Sequence, residues 1–121
     1  LELTHQVVTS PDRLLALESL DTPVGQAAAA LLRHYGQLDA ERYGLAAAPL
    51  HDPCVVAYLL QPTLFCGRPM QVAVETDTSL CLGRTVINDR PTAAHPANAL
   101  VLETADAPGF YRLLTESLAK L

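Results

Sequence analysis

The sequence predicts a mixed α/β fold. Apolar residues spaced three and four apart, which is a helical period, dominate the first half and the end of the chain, and a period of two appears between them. Half of the 121 residues are apolar and 17% are charged, which allows a buried core and argues against disorder. The length suits one domain, and no internal boundary is apparent, so we expect residues 1–121 to be a single domain piece.

Four helices are predicted, and they share a start signal in which a capping side chain precedes a proline. Proline is favoured at the first helical position because its missing N–H would have no partner there. Ser10-Pro11, Thr22-Pro23 and Asp52-Pro53 carry this signal, and Asp106-Ala107-Pro108 is a looser version of it. The predicted helices cover residues 11–20, 23–42, 53–60 and 108–120.

Strands are predicted between the third and fourth helices. Apolar residues alternate around Val72, and a second apolar run covers Leu80 to Ile87. The polar residues Thr76 to Ser79 separate these runs and predict the turn of a hairpin. The expected strands are this hairpin near residues 70–87, a strand near 98–103, and a further strand over Leu3 to Val8.

Composition excludes several classes of protein. The formal net charge of −5 disfavours a nucleic-acid partner. The sequence has no run of 18 apolar residues, so no membrane span is predicted. The chain starts with a strand-like Leu1-Glu2-Leu3 rather than a signal peptide, which suggests a cut inside a longer chain. The sequence has three cysteines, Cys54, Cys66 and Cys81, and no CxxC pair, which disfavours a disulfide framework or a structural zinc site. We therefore expect reduced thiols and a cytoplasmic location.

The segment from Tyr43 to Pro53 is the strongest candidate site, because it delivers His51 and Asp52 side by side at a helix start. A histidine can give or take a proton near neutral pH, and a carboxylate suits Ca²⁺, Mg²⁺ or sugar hydroxyls. An alternative is that Asp52 only caps the helix and His51 is a loop residue. Because Ca²⁺ takes six to eight oxygens and the other acids are scattered, further ligands would have to come from sequence outside this chain.

Several stretches carry a resemblance to a known family. They are Leu3–Gln6 with Ser10–Asp12, Pro49–Pro53 running on to Leu59, Val72–Thr76 with Leu82–Val86, and Asn98–Val101 with Phe110–Leu121. Together they resemble the C-terminal part of the inosine-uridine preferring nucleoside hydrolases. That family cleaves the N-glycosidic bond of ribonucleosides to ribose and free base, in purine and pyrimidine salvage, and uses a tightly bound Ca²⁺. Most ligands of that ion come from an N-terminal aspartate cluster, which is missing from this sequence.

The resemblance implies roles for three residues. Asp52 matches the late Ca²⁺ ligand, which also contacts ribose hydroxyls. His51 matches the histidine near the leaving base, which is proposed to be a proton donor in purine-preferring members. Tyr43 falls where some pyrimidine-preferring members place a side chain that contacts the base.

The resemblance leads us to expect a ribonucleoside substrate and no activity in this chain alone. We also expect exposed apolar surface, and with it homo-oligomerisation or association with the missing N-terminal part. Two alternatives remain. The chain could be a non-catalytic binding or oligomerisation module of the same fold, in which His51 and Asp52 are a loop residue and a cap. It could also belong to another Ca²⁺- or Mg²⁺-dependent hydrolase that shares only the loop and helix.

Overall fold

The computed structural model describes residues 2–44, 47–77 and 79–121, and its fold is mixed α/β, as predicted. Short 3-10 turns cover Thr4–Gln6 and Pro62–Leu64. The helices are α1 (Pro11–Glu18), α2 (Pro23–Tyr43), α3 (Asp52–Leu60) and α4 (Ala107–Leu118), and the strands are β1 (Phe65–Val74), β2 (Thr85–Asn88) and β3 (Ala99–Ala105).

Parts of three predictions fall on residues outside these ranges. Leu1 begins the predicted strand-like start, and Thr78 belongs to the predicted hairpin turn. Leu45 and Ala46 belong to the loop before His51. Those parts of the predictions therefore remain predictions.

The described residues divide into two compact units. One contains the chain up to Phe65 together with Thr104–Leu121, and the other is Cys66–Glu103. In the first unit α1 packs against α2, and α4 contacts each of the other three helices. The largest fully buried side chains of this unit are Val7, Leu17 and Phe110.

The prolines mark the helix starts well, whereas the predicted caps form at only some of them. The Thr22 side chain accepts a hydrogen bond from the Gly25 N–H (3.0 Å), and Asp106 accepts one from the Gly109 N–H (3.0 Å). These bonds satisfy N–H groups that have no partner within the helix. Ser10 makes no such bond at the start of α1. Helices α1 and α4 end two residues earlier than predicted.

The strand predicted over Leu3 to Val8 is wrong. Residues 4–6 form a 3-10 turn, in which the Gln6 N–H donates to the Leu3 carbonyl (2.9 Å). Only Val8 pairs, through an isolated antiparallel bridge to Pro49. The pairing does not extend into a regular ladder, because the Val7 N–H donates to the Thr4 carbonyl on one side of it (3.0 Å) and α1 begins at Pro11 on the other.

The second unit contains a three-stranded sheet of order β2-β1-β3. Strands β1 and β2 are antiparallel, with register from Gln71↔Asn88 to Val74↔Thr85, so the predicted hairpin is confirmed. Strand β1 starts at Phe65, earlier than the predicted hairpin near residue 70. Gly67 and Pro69 normally weaken strands, so the sequence gives no sign of a strand at these positions. Gly67 has a packing reason: a Cβ there would lie 2.3 Å from the Val101 carbonyl oxygen.

The second strand of the hairpin is shorter than the predicted Leu80 to Ile87, because β2 begins only at Thr85. Residues 79–83 lie in turns, and the Arg84 N–H donates to the Cys81 carbonyl (2.9 Å). Gly83 has φ +82°, a left-handed conformation that interrupts an extended strand. The Leu80–Leu82 pattern was therefore an apolar turn rather than strand.

Much of the apolar surface of α2 and α3 is exposed. On α2 Leu31 is 71% exposed, and on α3 Leu59 is 74% exposed and Leu60 66% exposed. The helices bury instead a narrow stripe of small residues, Gly25 and Ala29 on α2 and Cys54 and Ala57 on α3. None of the helices in the described part combines the length and the apolar character that a membrane span requires.

Candidate functional site

A short pairing between two distant segments holds the candidate site. The Thr9 N–H donates to the Ala48 carbonyl (2.8 Å) and the Leu50 N–H donates to the Val7 carbonyl (2.9 Å), on either side of the bridge between Val8 and Pro49. Val7, Ala48 and Leu50 are buried, so the pairing is part of the core. It brings the residues before Val7 beside the residues that follow Leu50.

The start of α3 is fixed to this pairing through Cys54. Its thiol donates to the Leu50 carbonyl (3.0 Å), and its backbone N–H donates to the His51 carbonyl (3.2 Å). Burial raises the pKa of the Cys54 thiol, because a thiolate would lose its hydration there. Cys54 is therefore a structural thiol that anchors the first turn of α3.

His51 lies at the N-cap position of α3 and is half-buried. Its Nδ1 atom is 2.7 Å from Thr4 Oγ1, which is hydrogen-bonding distance. The ring of His5 lies against it, with 5.6 Å between ring centroids and a tilt of 53°. Within the described ranges no group hydrogen-bonds to Nε2 of His51, so that nitrogen is available to a ligand.

Asp52 is the first residue of α3 and not its cap, so the predicted N-cap role is wrong. The helix starts one residue early because His51 already has helical backbone angles (φ −82°, ψ −70°). The exposed Asp52 carboxylate makes no hydrogen bond or ion pair with any residue that the structure describes. At a helix N-terminus a carboxylate is stabilised by the helix dipole, and here both of its oxygens remain open to a ligand.

Tyr43 is the last residue of α2, and its side chain is 63% exposed. The Arg42 guanidinium carbon lies 5.6 Å from the centre of its ring. No hydrogen bond or ring contact joins Tyr43 to His51 or Asp52 among residues 2–44, 47–77 and 79–121. Its assignment to the same site stays a prediction.

The described residues do not form a metal site by themselves. None of their His, Cys, Asp and Glu side chains gather in a group of three or more that could hold an ion. The open carboxylate of Asp52 is chemically suited to Ca²⁺ but supplies at most two of the six to eight oxygens required. Asp52 thus fits the role of one ligand among several.

A groove of about 370 Å³ runs between α3 and α4 beside Asp52. Its walls are almost entirely aliphatic and aromatic, and two of the α3 side chains that line it, Val56 and Leu60, are exposed. We call this the α3–α4 groove. Its lining residues are Asp52, Pro53, Val56, Ala57, Leu60, Phe110, Leu113, Leu114 and Ser117.

The sequence did not reveal the contact between Thr4 and His51, since the two residues are 47 positions apart. Thr4 and His5 lie in the predicted strand over Leu3 to Val8, which does not form. The other histidines, His34 and His95, are exposed. The structure thus brings Thr4, His5, His51 and Asp52 together.

Comparison with known proteins gives one consistent result. The model of a family described as inosine-uridine preferring nucleoside hydrolase matches residues 1–112. The chain is 39% identical over 121 residues to the protein C1683.06c of Schizosaccharomyces pombe, covering all of this chain and 39% of that protein. It is 38% identical over 120 residues to the pyrimidine-specific ribonucleoside hydrolase RihA of Shewanella sp. strain ANA-3, covering 98% of this chain and 38% of that protein.

A solved structure agrees with these sequence matches. The plant nucleoside hydrolase PpNRh1 superposes with a TM-score of 0.79 at 28% identity, over 98% of this chain and 39% of the plant protein. The chain therefore spans about two fifths of the length of the relatives that it matches.

Proposed function

Because this chain belongs to the inosine-uridine preferring nucleoside hydrolase family, we propose that it supplies the C-terminal part of an enzyme that hydrolyses the N-glycosidic bond of ribonucleosides to ribose and free base. The nucleoside could be a purine or a pyrimidine. The Shewanella relative is pyrimidine-specific by its name and 38% identical. This supports uridine as the first substrate to test.

The observation that carries the proposal is the pairing of His51 with Asp52 at the start of α3. The histidine is held through Nδ1 by Thr4, and its Nε2 is open to a ligand. The adjacent carboxylate is exposed and uncommitted within the described chain. A proton-transfer group and a hydroxyl- or cation-binding group thus stand next to each other, as the two ends of a nucleoside require.

His51 would act on the leaving base. The glycosidic bond breaks with positive charge developing on the sugar and negative charge on the base, so a proton delivered to the base lowers the barrier. Protonated His51 would donate its Nε2 proton to a nitrogen of the base, and the bonding electron pair of the glycosidic bond would leave with the base. The neutral imidazole then keeps its remaining proton, and a water molecule would complete the hydrolysis by bonding through its oxygen to C1 of the cationic sugar and losing one proton to a base in the remaining part of the enzyme.

Asp52 would bind the sugar end. Its carboxylate can accept hydrogen bonds from ribose hydroxyls and can serve as one Ca²⁺ ligand. When bound, Ca²⁺ would lower the pKa of a coordinated water and hold the ribose diol. The remaining ligands would come from a part of the family fold that lies outside these 121 residues. Tyr43 would contact the base.

The partner that we propose for the α3–α4 groove is that same remaining part of the family fold. About three fifths of the length of these relatives lies outside the part that this chain matches, and Leu60, which lines the groove, is 66% exposed. Apolar surface of this kind is normally covered in a folded protein. Without that part, we expect this chain to be inactive. The reduced thiols support a cytoplasmic location.

The test is a chimera in which this chain replaces the matching 120 residues of the Shewanella RihA. We expect the chimera to release ribose from uridine, to lose that activity when Ca²⁺ is chelated, and to regain it when Ca²⁺ is restored. This chain alone should release none. A chimera that folds like RihA by circular dichroism but releases no ribose from uridine or inosine contradicts the proposal, and favours a non-catalytic binding module instead.

A further inference from the structure

The side chain of Thr4 contacts one of the two ring nitrogens of His51, Nδ1. Thr4 Oγ1 lies 2.7 Å from Nδ1, and the tilted His5 ring lies 5.6 Å away between centroids. The hydrogen bond and the ring contact together restrict rotation of His51 about its side-chain bonds. Which nitrogen of a neutral histidine carries the proton is set by the hydrogen bond that the other nitrogen makes.

We propose that Thr4 is a positioning residue for His51: its hydroxyl oxygen accepts a hydrogen bond from Nδ1–H, which fixes the neutral ring in the Nδ1–H tautomer and leaves Nε2 facing the ligand. The direction of this hydrogen bond rests on the proposed function, because it is argued from the role of His51 as proton donor. The distance of 2.7 Å between Thr4 Oγ1 and Nδ1 is independent of that role.

The direction of the hydrogen bond follows from what a proton donor needs. A histidine that delivers a proton from Nε2 must retain one on Nδ1, or it would become an imidazolate, which is far too basic to form in water. An acceptor on Nδ1 stabilises both the protonated ring before transfer and the Nδ1–H ring after it. The Thr4 oxygen fills that place, because a hydroxyl can accept and donate at the same time.

A threonine at this position also holds the ring orientation without adding charge. A carboxylate in the same place would attract the positive charge of the imidazolium and oppose its loss of a proton. Threonine keeps a defined side-chain conformation, because its β-branched carbon restricts the first side-chain torsion. The backbone of Thr4 is held in turn by the 3-10 turn at Thr4–Gln6, because the N–H of Val7, the residue after the turn, donates to the Thr4 carbonyl (3.0 Å).

The experiment is nitrogen-15 NMR of the full 121-residue chain at about pH 9, where ordinary imidazoles are neutral. Long-range proton–nitrogen correlations distinguish the two tautomers of each histidine, and the His51→Gln variant assigns the His51 signals. We expect Nδ1–H for His51 in the wild-type chain, although an unconstrained neutral histidine in water prefers Nε2–H. A wild-type spectrum that shows Nε2–H overturns the proposal without any variant.

Two variants sharpen the test. Thr4→Val keeps the shape but removes the hydroxyl, and should return His51 to a mixture in which Nε2–H dominates. Thr4→Ser restores a hydroxyl and should restore Nδ1–H. The matched control Thr63→Val, at an exposed threonine, should leave the His51 signals unchanged. An unchanged His51 tautomer in a folded Thr4→Val chain contradicts the proposal.

The chimera separates this inference from the proposed function. There Thr4→Val should lower kcat about tenfold with little change in KM, and Thr4→Ser should recover most of it. If Thr4→Val changes the tautomer while His51→Gln leaves hydrolysis intact, the positioning role stands and the assignment of His51 as proton donor fails. If the tautomer does not respond but His51→Gln abolishes hydrolysis, the proposed function stands and the role of Thr4 fails.

Discussion

Thr9 Oγ1 and Tyr111 Oη lie 2.8 Å apart in the core, although 102 residues separate them in the sequence. The hydrogen bond joins the segment that pairs beside Pro49 to helix α4. The guanidinium carbon of Arg13 lies 4.4 Å from the centre of the Tyr111 ring, and Arg13 also donates to the Val8 carbonyl (2.7 Å). The phenol is therefore buried, hydrogen-bonded and next to a positive charge.

This setting predicts that the free energy of unfolding decreases at alkaline pH. Burial raises the pKa of the Tyr111 phenol, and this outweighs the hydrogen bond from Thr9 and the charge of Arg13, which both lower it. Because the pKa is higher in the folded state, the contribution of Tyr111 is complete below about pH 10 and is lost as pH rises further. We expect the unfolding free energy, from urea titrations between pH 8 and 11, to fall less steeply in Tyr111→Phe. Equal slopes contradict this.

His51 should matter in proportion to how much the leaving group needs a proton. In the chimera, we expect His51→Gln to lower kcat for uridine or inosine by about 10²-fold or more. For an aryl riboside that leaves as a stable phenolate, the loss should be under tenfold. The measurement is kcat for both substrates, with His34→Gln, at an exposed histidine, as the control. Equal losses on both substrates would mean that His51 does not protonate the base.

Asp52 should affect both cation and sugar binding. Asp52→Asn keeps the size of the side chain but removes its charge, and we expect the chimera to bind Ca²⁺ at least tenfold more weakly by calorimetry and to show a raised KM. Asp12→Asn is the matched control, because Asp12 is also an acidic residue in the first turn of a helix. If both variants bind Ca²⁺ like the parent, Asp52 is not a ligand.

The α3–α4 groove should be needed for association. We expect this chain to co-purify with a separate polypeptide that contains the unmatched part of the Shewanella RihA. Leu60→Asp should weaken that complex about 30-fold, because burying a leucine is worth roughly 2 kcal/mol. Leu80→Asp, at a leucine that is 93% exposed in a turn, should not. If the chain alone dimerises and Leu60→Asp makes it monomeric, a second copy occupies the groove instead.

Two glycines should respond in opposite directions to alanine. Gly67→Ala would place Cβ against the Val101 carbonyl oxygen at 2.3 Å, so we expect a loss of about 1–3 kcal/mol in unfolding free energy. Gly36 lies inside α2, and its Cβ would meet nothing closer than 4.0 Å, so Gly36→Ala should stabilise by about 0.5–1 kcal/mol. Chemical denaturation of both variants is the measurement. The reverse order of stability would contradict the packing described for β1.

Local chemistry made some of this fold predictable. Pro11 and Pro23 mark helix starts because proline acts within one turn, and the alternation around Val72 found the hairpin. The same local reasoning misplaced the cap at Asp52, because His51 already has helical backbone angles, which the sequence does not signal.

Features that depend on distant partners were out of reach of the sequence. The first half of β1 contains Gly67, which reads as a breaker until the neighbouring Val101 is known. The hydrogen bond between Thr4 and His51 has no local signature, since the pairing of Val8 with Pro49 brings these two distant residues together. The candidate residues His51 and Asp52 could be named from sequence, but their supporting neighbours could not.

The bridge between Val8 and Pro49 also closes the stretch of chain that contains α1 and α2. The chain leaves the site at Val8, builds α1 and α2, and returns at Pro49, so both ends of this excursion are tied to each other. Thr4, His51 and Asp52 lie outside the excursion, and Tyr43 lies at the end of α2 within it. With the roles proposed above, substitutions around Tyr43 would alter contacts with the base, while the residues proposed for bond cleavage keep their positions beside the bridge.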